Sequence, residues 1–91
     1  MTTCAVRITN ALGLHARAAA RFVHTASAFQ CRVRVAKGGQ EMDGKSIMGL
    51  LLLTAAQGTS VTISADGVDE IDAIATLRAL IERGFDEAAC N

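Results

Sequence analysis

The stretch Gly13-Leu14-His15-Ala16-Arg17 carries the most chemistry in the chain. It puts a histidine where a short strand gives way to a helix, and an apolar-patterned run from Ala16 meets no glycine or proline until Gly38. An imidazole has a neutral form available near pH 7 and can attack phosphorus with a ring nitrogen. Unpaired amides at a helix start orient anionic oxygens. Here those amides belong to Ala16, Arg17 and Ala18. The guanidinium of Arg17 adds a planar, permanently charged donor. On local pattern alone His15 reads equally well as a surface or capping residue. Arg17 reads as a charge slightly misplaced near the positive helix end, a mismatch that a visiting anion would ease.

A second constellation surrounds Ser46. Its hydroxyl suits the N-cap of a short helix running from Ile47 to about Leu53. Such a helix cannot bury every side against one sheet. Leu50 and Leu53 are expected inward, and Ile47, Met48 and Leu51 outward as an apolar docking patch that a central methionine makes adaptable. Gly39-Gln40-Glu41-Met42-Asp43-Gly44-Lys45-Ser46 also satisfies the GxxxxGK[ST] pattern of a nucleotide-binding loop. Glu41 and Asp43 would put two carboxylates where phosphates should lie, and Lys37-Gly38-Gly39 already reads as a hairpin turn. A small nucleotide hydrolase is therefore the remote alternative.

The elements that must position these residues follow from periodicity. Cys4, Val6 and Ile8 alternate with Ala5, Arg7 and Thr9 as a half-buried strand. Ala16, Ala19, Ala20, Phe22, Val23 and Ala26 fall largely on one helical face, with Arg17, Arg21 and Thr25 mostly off it. Cys31, Val33 and Val35 form the next strand, and Glu41 to Asp43 the return strand of a hairpin. Val61, Ile63 and Ala65 make the last strand. Asp69 is placed to cap a final helix lined by Ile71, Ile74, Leu77 and Ile81, with Leu80 beside them and Gly84 at its end. The order strand-helix-strand-strand-helix-strand-helix fits an α+β domain: a four-stranded antiparallel sheet with three helices packed on one face. Elements this short leave little space for a deep cavity, so function on the surface is expected.

The bulk numbers narrow the classes. The 91 residues suffice for one domain, residues 1–91, and 51% hydrophobic content argues against disorder. Nine basic residues balance nine acidic ones, which removes any bulk drive toward nucleic acid or anionic lipid. Arg7, Arg17, Arg21, Arg32 and Arg34 lie in the first half, so a local basic face toward an acidic partner is open. Cys4, Cys31 and Cys90 have neither the number nor the spacing of a disulfide scaffold or metal site. Cys4 and Cys31 are expected to pack as small apolar groups, and Cys90 to be exposed near the chain end. No secretory leader and no membrane-length apolar run is present, so the cytoplasm is the expected compartment, and the small size and balanced charge favour a monomer.

At His15 and Ser46 the chain resembles HPr, the histidine-containing phosphocarrier family of the bacterial phosphoenolpyruvate-dependent phosphotransferase system. The resemblance rests on Gly13-Leu14-His15-Ala16-Arg17 with Ala19-Ala20, and on Lys45-Ser46-Ile47-Met48-Gly49-Leu50, two motifs in register across nearly the whole length. It implies an open-faced β-sandwich. It implies that His15 accepts phosphoryl on Nδ1 from the first enzyme of the system, assisted by Arg17, and passes it to an EIIA-type domain. It further implies Ser46 as a regulatory site for an HPr kinase/phosphorylase, and a carrier rather than an independent turnover enzyme, with the metal chemistry left to the upstream enzyme and no cofactor of its own. Ala20, Arg21 and His24 would join Ile47, Met48 and Leu51 in meeting partners.

Two positions depart from the family pattern. Ala18 stands where proline usually follows the arginine, a loss of pre-organisation offset by alanine's helix preference. Leu12 stands where some relatives have asparagine. The wording of Leu50 through Gly58 resembles the regulatory or nitrogen-related proteobacterial branch more than a dedicated sugar carrier. The competing reading is a regulatory binding protein that acts through Ser46 and the apolar patch with His15 chemically unused.

Overall fold

A computed structural model describes residues 1–86. Its elements are β1 (Thr2–Arg7), α1 (Ala16–Ala26), β2 (Arg32–Lys37), β3 (Gln40–Asp43), α2 (Ile47–Leu52), β4 (Ser60–Asp66) and α3 (Glu70–Glu82). The strands form one antiparallel sheet in the order β1-β4-β2-β3. Strand alternation decides what each face carries. Val6 pairs with Val61, and Cys4, Ile63, Val35 and Met42 lie in one cross-sheet row toward the helices. The neighbouring row of Thr3, Ser64, Arg34 and Asp43 faces out.

The expected architecture is the one observed, with four local corrections. In α1 the buried residues are Ala18, Ala19, Phe22 and Ala26, whereas Ala16 and Ala20 are exposed and Val23 is half-buried. Phe22 sets the helix phase because it is the bulky side chain of the stripe; alanines fit either face. In α3 the buried stripe is Ala73, Ile74, Leu77, Leu80 and Ile81, and Ile71 is 73% exposed. Ile71 lies about a third of a turn from the middle of that stripe. Asp69 stands at the N-cap of α3 but makes no cap bond. Its carboxylate instead accepts N–H groups from Gln30 and Cys31 at 2.8 and 2.9 Å, tying the start of β2 to α3. In α2, Leu50 and Leu53 are fully buried, Leu51 is half-buried against the core, and Leu52 is exposed.

The end of α3 closes as expected on Gly84. Gly84 takes a left-handed conformation and donates to Ile81 O, while Phe85 N–H reaches back to Leu80 O. These bonds are a Schellman motif, and the buried Phe85 supplies its apolar contact. Cys31 is buried and Cys4 partly so. Cys90, expected at the surface, lies outside the described residues. No helix of the described residues is long and apolar enough to cross a membrane.

The start of α3 carries an acid-sensitive tie. Glu70 accepts from the Thr2 hydroxyl and the Gly67 amide, and pairs with the Met1 amino group at 3.1 Å. These partners, the hydroxyl foremost, lower its pKa from 4.5 to about 2. A carboxylate depressed on folding contributes stability above its unfolded pKa and loses it as pH falls through the folded one. Acid titration followed by circular dichroism should show Glu70→Gln flattening the loss of stability between pH 4.5 and about 2. An unchanged slope would remove Glu70 as its source.

Candidate functional site

Crossed backbone bonds shape the loop between β1 and α1 before any side chain acts. Ile8 donates to Thr59 O and Gly58 donates to Ile8 O, both at 2.8 Å, so the loop starts clamped to the segment before β4. The Asn10 side-chain amide donates to Gly13 O at 2.7 Å, and Leu14 N–H donates to Ala55 O at 2.9 Å. Gly13 sits at φ 67 against the backbone of Ala55 and Ala56. Leu14 is buried and anchors the loop from below. These ties fix where His15 enters the helix.

His15 is the N-cap of α1, in extended conformation, and its carbonyl accepts the first helical bond from Ala19 at 2.8 Å. Ring atom Nδ1 accepts the Arg17 N–H over a long 3.4 Å. Histidine is not among the favoured N-cap residues, so a ring nitrogen replaces the usual short oxygen acceptor. The first turn holds no acidic residue, and Arg17 is exposed within it. An anion bonded to Nδ1 would therefore meet amides, a positive helix end and a guanidinium. The Ala18 methyl is fully buried, so only its backbone can face that anion. Ala18 thus occupies a core position.

Arg17, Ala20, Arg21 and His24, named separately from the sequence, line one open groove of about 440 Å³. Thr25, Leu80 and Asp86 complete it. Arg21 donates to Phe85 O at 2.6 Å, which holds its guanidinium against the end of α3. Asp86 pairs with Arg83 at 2.8 Å, and that bond, more than the charge of Arg21, pulls its pKa below the ordinary value. Leu80 and Asp86 were not legible as site residues, because the far side of the groove depends on how α3 packs, and Thr25 on α1 read only as a residue off the buried face.

Ser46 caps α2 as expected, its Oγ accepting Gly49 N–H at 3.1 Å. Ile47 is 42% and Met48 70% exposed beside it. The sequence reading missed Leu52 and Leu12 as large exposed apolar groups. An apolar residue in the Asn10–Gly13 turn was an available signal for Leu12. The outward phase of α2 could not be read from four consecutive leucines. The nucleotide-loop pattern does not form a phosphate cradle: Gly38 and Gly39 make the hairpin turn and residues 40–43 are β3. Lys45 spends its ammonium on Phe29 O at 2.7 Å, and Asp43 accepts the Lys45 N–H. Among the described residues no His, Cys, Asp and Glu group is arranged to hold a metal.

Comparison with known proteins gives the same family from three directions. Residues 2–83 match the profile described as the PTS HPr component phosphorylation site. The phosphocarrier protein HPr of Neisseria meningitidis serogroup A is 48% identical over 82 residues, covering 90% of this chain and 92% of that protein. The phosphocarrier protein HPr of Xylella fastidiosa (strain Temecula1) is 48% identical over 80 residues, covering 88% and 90%. The crystal structure of HPr-C-His from Thermoanaerobacter tengcongensis superimposes with a TM-score of 0.93 at 45% identity, covering 97% of this chain and 99% of that one.

Proposed function

The chain belongs to the HPr family of phosphocarriers, and from that membership we propose that His15 carries its phosphoryl group, on Nδ1, with Arg17 and the first amides of α1 as the anion's partners. The phosphocarrier function is that of the family: phosphoryl groups pass along the phosphotransferase relay, and the carrier is not an independent enzyme. The observation that carries the His15 assignment is the N-cap geometry, with Nδ1 turned to the Arg17 amide at 3.4 Å.

As an acceptor, Nδ1 has its lone pair in the ring plane and directed at the helix start. That lone pair attacks phosphorus as the bond between phosphorus and the donor group breaks, roughly in line. The new oxygens then replace Nδ1 as acceptors for the helix amides, and Arg17 neutralises part of their charge. The nitrogen–phosphorus bond is reversible, so the same geometry returns the group to a second protein. The upstream partner is the phosphoenolpyruvate-dependent first enzyme and the downstream one an EIIA-type domain. Arg17 and Arg21 in the groove bring positive charge to their encounter.

The test is intact mass and site mapping after incubation with phosphoenolpyruvate, magnesium and an active upstream enzyme. One acid-labile phosphoryl group on His15 supports the reading. No uptake, or uptake elsewhere, overturns it.

Ser46 is the proposed regulatory site, with an HPr kinase/phosphorylase as its writer. Its Oγ caps α2 next to exposed Ile47 and Met48. Added negative charge there opposes an acidic partner while remaining tolerable at a helix start. Ser46→Asp should keep the melting temperature and slow phosphoryl uptake by about tenfold or more. Steady-state kinetics with the upstream enzyme measures this, and an unchanged rate would leave Ser46 as a cap alone.

A further inference from the structure

Thr54 has φ 49, a left-handed conformation that a β-branched side chain adopts only under constraint. It directly follows Leu53, the C-cap of α2. Its N–H donates to Leu51 O and its own hydroxyl donates to Leu53 O at 2.7 Å. A second hold comes from elsewhere in the chain. Lys37, the last residue of β2, donates through Nζ to Leu53 O at 3.1 Å and to Thr54 O at 3.2 Å. These charge-assisted bonds fall on the C-cap carbonyl of α2 and on the one just beyond it, at the helix end where a cation is favoured.

The turn that Thr54 makes delivers the next residue to the site. Ala55 is 3% exposed, and its carbonyl receives the Leu14 N–H at 2.9 Å, one residue before His15. The backbone of Ala55 and Ala56 is also the wall against which Gly13 fits. The strained corner is therefore the seat of the loop that presents His15. Strain of this kind persists where surrounding structure over-determines it, and it gathers at functional sites.

We propose that Lys37 is a positioning residue for phosphoryl transfer: its ammonium holds the left-handed turn at Thr54, and that turn fixes the loop carrying His15. The proposal rests on His15 as the phosphoryl-bearing residue. Lys37 touches no reacting atom and acts through Thr54, Ala55 and Leu14.

This arrangement makes Lys37 dispensable wherever the turn no longer needs holding. Glycine adopts positive φ without a Cβ penalty. Lys37→Met keeps most of the apolar stem and removes the ammonium. Wild type, Lys37→Met, Thr54→Gly and the double variant are compared by two readouts. The first is hydrogen exchange of the Leu14 amide relative to Ile63 in β4. The second is kcat/KM for phosphorylation by the upstream enzyme.

Lys37→Met should speed Leu14 exchange about tenfold relative to Ile63 and lower kcat/KM by about threefold to tenfold. Thr54→Gly should stay near wild type, and the double variant within about twofold of Thr54→Gly. Equal losses from Lys37→Met in both backgrounds would overturn the proposal. So would a change in which Leu14 and Ile63 move together, since that is ordinary destabilisation. If wild type takes no phosphoryl on His15, the functional reading fails by itself, and the proposal falls with it whatever the exchange data show about the turn.

Discussion

A His15→Asn chain will fold, cap α1 and take up no phosphoryl group. Asparagine is a better N-cap than histidine, so its side-chain oxygen can serve the amide that Nδ1 now meets at 3.4 Å. The helix start, the groove and the buried Leu14 anchor are kept, while the nucleophilic ring nitrogen is gone. Among the described residues neither the other histidine nor the buried cysteine replaces it. His24 is exposed in the last turn of α1, at the negative helix end, where an added anion is disfavoured. Cys31 is buried and its thiol pKa is raised, mainly by desolvation, which suppresses the thiolate.

Uptake should therefore fall below about one-thousandth of wild type, because no described side chain replaces the ring nitrogen at the start of α1. Intact mass after incubation with phosphoenolpyruvate and upstream enzyme measures it. His15→Asn should also compete with wild type for that enzyme, since the docking surface is unchanged. His15→Ala should give the same chemical loss with a modest fall in stability from the missing cap, about 1 kcal/mol. Undiminished uptake by either variant would move the phosphoryl group off His15.

What the sequence made legible was whatever a single period encodes. Strand alternation put Val6, Val33, Val35, Val61 and Ile63 inside, and each is buried. The Gly38-Gly39 turn, the Ser46 cap and the Gly84 stop are local backbone requirements, and all are where their residue types placed them. Contacts between distant segments were not legible. Asp69 looks like a cap, yet two amides from the start of β2 take its carboxylate. Ile71 and Ile74 are identical side chains, and only the docking of α3 on β1 and β4 separates the exposed one from the buried one. At the site, His15 and Arg17 stand out by type and spacing. Lys37 does not, because a lysine at a hairpin reads as a solvated charge until the end of α2 is folded over it.

Gly13→Ala should damage stability and transfer together, and the comparison with Gly38→Ala shows why. Both glycines have positive φ, so alanine pays the left-handed backbone cost at each, about 1 kcal/mol. At Gly38 the added methyl meets nothing within 4 Å. At Gly13 it would run into the Ala55 carbonyl oxygen and lie 2.9 Å from Ala56 Cα. Both obstacles are backbone, held by the Leu14–Ala55 and Ile8–Gly58 bonds, so no side chain can swing aside. The loop must lift off, which breaks the Leu14 bond and shifts His15 relative to the α1 amides. Gly13→Ala should therefore cost roughly 2–4 kcal/mol, seen in denaturant unfolding. It should slow phosphoryl uptake by about a hundredfold, the scale of an ångström-sized misplacement of a reacting group. Gly38→Ala should lose only the backbone share of stability and keep its uptake rate. Equal kinetics for the two variants would mean that the seat on Ala55 does not govern where His15 sits, and the N-cap geometry would then have to form at the partner's surface.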